Sequence, residues 1–156
     1  RQQIAFLHGI HLTSVGRRLK QSIWQYVKLV PIDSIRRLGH TSPMKVLVVD
    51  DQEGMRRMLA RAAASWGWQG EFCASVAEAR AALRADRFDL ALCDADLPDG
   101  DGVALAAELR AANPGLAVVV MSGDADNLDR AGRQGLPSLL QKPFELAAVR
   151  ALAAGL

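Results

Sequence analysis

The stretch KVLVVDD, residues 45–51, runs through four consecutive apolar residues, Val46 to Val49, and then stops on two aspartates. A strand with one wet face alternates apolar and polar residues, whereas an unbroken β-branched run fits a strand covered on both faces, as in a parallel sheet. The next residues turn to a helical period. Met55, Met58, Leu59, Ala62, Ala63 and Trp66 share one face while Arg56, Arg57 and Arg61 fall mostly off it, which assigns those arginines to solvent. Gly67 ends that helix.

The same alternation repeats four more times. WQGEFCA (68–74) reads as a second strand, and SVAE (75–78) as a capping box with Ser75 at the N-cap, opening a helix to about residue 85. FDLALC (88–93) is a third strand and DGVALAAELRAA (101–112) a third helix. LAVVVM (116–121) is a fourth strand, followed by a short helix over 127–134 that Gly135 stops. SLLQ (138–141) gives the fifth strand and ELAAVRALAA (145–154) the last helix. Five βα units predict an α/β fold: a flavodoxin-like, doubly wound, five-stranded parallel sheet of order 2-1-3-4-5 with helices on both faces.

Composition sets the outer limits. The 156 residues are half apolar, enough for one domain with its own core. The formal charge of +2 is divided unevenly. Residues 1–43 hold seven basic side chains against the single acid Asp33, leaving −4 for residues 44–156, so the basic pI is no argument for nucleic-acid binding by the main domain. Residues 1–43 are expected to be a basic extension, disordered or translated from upstream of a start at Met44. Leu12, Val15, Leu19, Ile23, Val27 and Val30 keep a helical spacing there, and His8 and His11 make an isolated H-x-x-H. No run reaches the length of a membrane span, and cytoplasmic residence without nucleic-acid or membrane partners is the expectation. Cys73 and Cys93 lie far apart in apolar stretches and read as reduced core residues.

Ligands of such a sheet bind beyond the strand ends where the strand order reverses, here between strands one and three. Asp50, Asp51 and Asp94 stand there, and their mutual repulsion calls for a cation or a proton. All-oxygen ligation suits Mg²⁺. Ser122 after strand four offers a hydroxyl, and Lys142 after strand five a positive charge. A metal, a lysine and a hydroxyl around a carboxylate suit phosphoryl transfer to that carboxylate. Asp99 and Asp101 are assigned to a solvated turn, since Pro98-Asp99-Gly100 is turn chemistry.

VVDD (48–51), CDADLPDGDG (93–102), VVVMSG (118–123) and LLQKPF (139–144) together resemble the receiver domain of two-component response regulators over residues 45–154. The resemblance implies Asp94 as phosphoacceptor, with Asp50, Asp51, Asp94 and the main-chain carbonyl of Asp96 as Mg²⁺ ligands. It implies that Ser122 and Lys142 contact the phosphoryl group, and that the peptide before Pro143 is cis. Leu139 departs from it, standing where the family has an aromatic, so output is expected through the Ser122 loop and the short fourth helix. Asp96 and Asp124 occupy positions that tune phosphoryl loss in the family.

The chain is therefore expected to act as a single-domain response regulator, charged by a partner histidine kinase or histidine phosphotransfer protein. It would serve as a protein-interaction switch or relay intermediate, and its only enzymatic act would be turnover of its own phosphoryl group. A binding module that signals without phosphorylation is the alternative. A remoter one is a haloacid-dehalogenase-like phosphatase using Asp94 and Asp96 as its D-x-D pair, against which stands the earlier position of Asp50 and Asp51. Because all five expected strands follow Met44, a chain beginning there should melt cooperatively at nearly the full-length temperature. A loss of more than a few degrees would show that residues 1–43 pack on the domain.

Overall fold

The computed structural model describes residues 43–156; the helical spacing and the H-x-x-H expected within residues 1–42 lie outside them. Five strands form one parallel sheet: β1 (Lys45–Val49), β2 (Gln69–Cys73), β3 (Leu90–Asp94), β4 (Ala117–Ser122) and β5 (Ser138–Gln141). Their order is β2-β1-β3-β4-β5, as expected. Five helices follow the strands: α1 (Glu53–Ser65), α2 (Val76–Ala85), α3 (Gly102–Ala112), α4 (Ala125–Arg133) and α5 (Leu146–Ala154). Among the described residues no helix is long and apolar enough to cross a membrane.

The period of two along each strand sorts the core into two layers. Leu47, Val49, Cys73, Ala91, Cys93, Val118 and Val120 face α2, α3 and α4, meeting Val76, Ala79, Val103, Leu109 and Leu128. Val46, Val48, Leu90, Leu92, Val119, Met121 and Leu140 face the opposite way, onto Leu59 and Ala63 of α1 and Val149 and Leu152 of α5. Every residue of β3 is buried, which is why its sequence shows no alternation. The outer strand β2 differs, with Gln69, Gly70 and Glu71 exposed and only Cys73 buried. Gly67 and Gly135 hold positive φ, 75° and 77°, where the chain leaves α1 and α4.

Three details depart from the sequence reading. Helix α4 begins at Ala125, two residues before the expected start, because the Asp124 side chain accepts from Asp126 N–H and opens the helix early. Glu78 reaches the amide of Ala74 rather than that of Ser75, while Ser75 Oγ accepts from Glu78 N as a capping box requires. The loop after β3 keeps the expected exposed turn at Pro98 and Asp99, but that turn is not a free one. It forms a small hairpin, Asp96–Leu97 against Gly100–Asp101, and both outer aspartates hold helix ends.

Asp99 receives the amides of Val76 (2.8 Å) and Ala77 (2.9 Å), the orphan donors at the start of α2. These bonds hold its carboxyl below the usual range. Asp101 is the N-cap of α3, accepting from Val103 and Ala104, and it also pairs with Arg130 of α4. The Arg130 guanidinium, helped by the two amides, holds the Asp101 carboxyl below its ordinary 3.8. Gly102 then starts α3 against the backbone of β3. A Cβ there would lie 1.7 Å from the Asp94 carbonyl oxygen, so only glycine allows the helix to come so close.

Gly102→Ala should therefore destabilise the fold by about 3 kcal/mol or more, since the obstructing atoms are main chain and cannot rotate away. Denaturant melts measure this, and a loss below about 1 kcal/mol would show that the loop yields. The depressed titration of Asp101 has a definite sign. A carboxyl whose folded pKa lies below its unfolded one contributes stability above the ordinary 3.8 and loses it as pH falls through the lower folded value. Melts of the parent taken from pH ~5 to pH ~2.5 should fall more steeply than those of Asp101→Asn. Parallel curves would dismiss the linkage.

Candidate functional site

The ends of β1, β3, β4 and β5 converge at one mouth of the sheet. Asp50 directly follows β1 and is fully buried. Its amide donates to the Cys73 carbonyl at 3.0 Å, and its Oδ1 accepts from Gln52 N at 2.9 Å. Asp51, one residue on, is exposed. Asp94 ends β3 with 4% of its surface exposed, so it can meet solvent only at the mouth. Oxygen atoms of Asp50, Asp51 and Asp94 all lie within 4.8 Å of one another.

Lys142 joins two of these acids. Its Nζ donates to Asp50 Oδ2 at 2.7 Å and to Asp94 Oδ2 at 2.8 Å. Its amide donates to the Ser122 carbonyl at 2.8 Å, which ties the residue after β5 to the end of β4. The peptide between Lys142 and Pro143 is cis, as the resemblance implies. Three carboxylates and one ammonium leave a nominal charge of −2, which a divalent cation would balance. All the donors are hard oxygens, so the residues present fit Mg²⁺.

Burial pushes the Asp94 carboxyl up, and Asp50 adds to this; the Lys142 ammonium pulls it down but does not cancel the rise. For Lys142 burial works against the charged form, yet the bonds to Asp50 and Asp94 outweigh it and the ammonium is held above its ordinary value. Lys142 is therefore a permanent cation near neutral pH. The thiols of Cys73 and Cys93 are pushed by burial to about 11 and about 12 and take no part. Both are free, which agrees with their reading as reduced core residues.

The remaining expected residues sit as follows. Asp96 lines the same open cleft as Asp51, Asp94, Gly123 and Lys142, but its carboxylate turns to Asn127 of α4. Ser122 closes β4 fully buried, and its hydroxyl oxygen accepts from Asp124 N at 3.0 Å. That leaves the hydroxyl hydrogen to donate. Leu139 is half-buried against the α4 layer of the core.

Two neighbours of the site were not legible as such. Arg56, assigned to the solvated face of α1, in fact donates from Nη1 to the carbonyls of Asp50 (2.6 Å) and Asp51 (2.8 Å), bracing the main chain of the acidic pair. Asn127 carried no motif at all. The first could have been suspected from its place in the opening turn of α1, a few residues past the acids; for the second no sequence signal exists.

A family model described as the response regulator receiver domain matches residues 46–154. The transcriptional regulatory protein GlrR of Escherichia coli (strain K12) is 30% identical over 105 residues, covering 66% of this chain and 24% of its own length. The chain thus spans about a quarter of that regulator. Sporulation initiation phosphotransferase F of Bacillus subtilis (strain 168) is 28% identical over 108 residues, covering 68% of this chain and 87% of that one. A crystal structure of a Burkholderia pseudomallei response regulator, solved with a phosphorylated aspartic acid, a calcium ion and citrate, matches with TM-score 0.65 and 26% identity, covering 70% of this chain and 65% of that one. Together with the sheet order, the match across nearly all described residues makes this chain a member of the receiver domain family of two-component response regulators.

Proposed function

We propose that the protein is a phosphorylation-controlled switch in which Asp94 accepts a phosphoryl group from a phosphohistidine of a histidine kinase or phosphotransfer protein. The observation that carries this reading is the Lys142 bridge between Asp50 and Asp94. It holds Asp94 Oδ2 and leaves Oδ1, whose one bond is a long 3.4 Å contact to the Asp96 amide, as the freer oxygen. In the transfer Oδ1 forms the bond to phosphorus, the P–N bond breaks, and the donor imidazole nitrogen keeps the electron pair.

Asp50, Asp51, Asp94 and the Asp96 carbonyl are the residues that would hold Mg²⁺, which offsets phosphoryl charge when bound. Lys142 supplies a second, fixed positive charge, and the Ser122 hydroxyl has a hydrogen to donate. The D-x-D phosphatase reading loses ground, because Asp94 ends the third strand rather than the first. A signalling site in the cytoplasm fits this reading, with output by protein contact. Relay to another histidine is the second reading, favoured by the match along most of sporulation initiation phosphotransferase F.

Treatment with a small-molecule phosphodonor and Mg²⁺ should give a single phosphoryl mass adduct. The adduct should vanish with a chelator and in Asp94→Asn, while Asp99→Asn, altered at a helix end and not at the mouth, is labelled like the parent. Equal labelling of the two variants would remove Asp94 as the acceptor.

A further inference from the structure

Asp96 lies two residues beyond Asp94 and lines the same cleft, yet its carboxylate is engaged elsewhere. Both oxygens accept from Asn127 Nδ2, at 3.2 Å and 3.1 Å. The amide has only one way to face. Asn127 Oδ1 accepts from Arg130 Nη2 at 3.1 Å, which fixes the NH₂ end toward Asp96. Arg130 is itself held by the carboxylate of Asp101, the N-cap of α3. A chain of four side chains, Asp101, Arg130, Asn127 and Asp96, thus runs from the start of α3 across α4 to the cleft.

We infer that Asn127 is a positioning residue that withholds the Asp96 carboxylate from water in the cleft and so lengthens the life of a phosphoryl group on Asp94. The inference rests on the reading of Asp94 as acceptor. Loss of the group is hydrolysis: the water oxygen bonds to phosphorus, the P–O bond to Asp94 breaks, and the carboxylate leaves with the electron pair. One water proton ends on the departing orthophosphate and the other in solvent. A free carboxylate beside that bond accepts a hydrogen bond from the attacking water and orients it. A carboxylate whose two oxygens already receive an amide is a poorer partner for water. Asn127 sits on α4, so displacement of α4 by a bound protein would release Asp96 and shorten the signal.

The full chain is charged with a small-molecule phosphodonor and Mg²⁺, the donor is removed, and the mass adduct is followed in time. Asn127→Ala should shorten the half-life about three- to tenfold, in the lower part of the range for a coupled pair of side chains. Asn127→Asp, which keeps the shape and sets a like charge against Asp96, should shorten it too. In an Asp96→Ala background the Asn127 substitutions should change nothing further. An unchanged or longer half-life in Asn127→Ala overturns the inference, as does the same acceleration without Asp96, which would mark general loosening of α4. Those outcomes leave Asp94 as the acceptor, whereas a parent chain that takes no adduct removes that reading and this inference with it.

Discussion

The Lys142 ammonium between Asp50 and Asp94 is the interaction on which the mouth of the sheet depends. The two carboxylates end neighbouring strands, are almost wholly buried, and would repel across a region that water cannot screen. Their counter-charge comes from the far end of the chain, 92 residues after Asp50 and 48 after Asp94. The charges are therefore compensated only when β5 has joined the sheet beside β4. Removing one member of such a buried group leaves the others unpaired, typically at a cost of about 3–5 kcal/mol, so the order of the strands and the electrostatics of the site enforce each other.

Around that bridge, local preferences give way to the geometry of the mouth. Helix α3 begins on a glycine, a poor helix former, because any larger residue would collide with the Asp94 carbonyl. Asp94 is held where burial makes its ionised form costly. Arg56 spends its guanidinium on two main-chain carbonyls instead of on an acidic partner. Each choice is unfavourable taken alone and sensible once the acidic strand ends are to be held in register, a pattern characteristic of functional sites.

Most of this could be read from the sequence where the signal was periodic. The continuous runs of β1, β3 and β4 identified central strands, since their residues are buried on both faces and have no reason to alternate. The acids and the lysine at strand ends followed from the topology. What failed was the reading of single polar residues whose partners are remote. Asp99 and Asp101 look like any turn, because the amides of Val76 and Ala77 and the guanidinium of Arg130 arrive from elements 22 to 29 residues away. Arg56 matches a solvated helix face by period, and nothing in a period reveals that a long side chain folds back over the preceding loop. Asn127 combines one such remote contact, to Asp96, with a local one to Arg130 a turn further along α4.

The exposed outer strand carries a consequence for the molecule among its own copies. Among the described residues β2 has no neighbouring strand along its outer side, and an edge of this kind can serve as a template for a further strand. Its middle residue is Glu71, next to Gly70, and both face solvent. Two molecules meeting edge to edge about the centre of β2 would bring one Glu71 carboxylate against the other, where like charges directly opposed are unfavourable. Gly70 adds no side chain that could zip such a pair together. A strand that contributes little apolar surface to its own core thus makes pairing of two copies along β2 unfavourable.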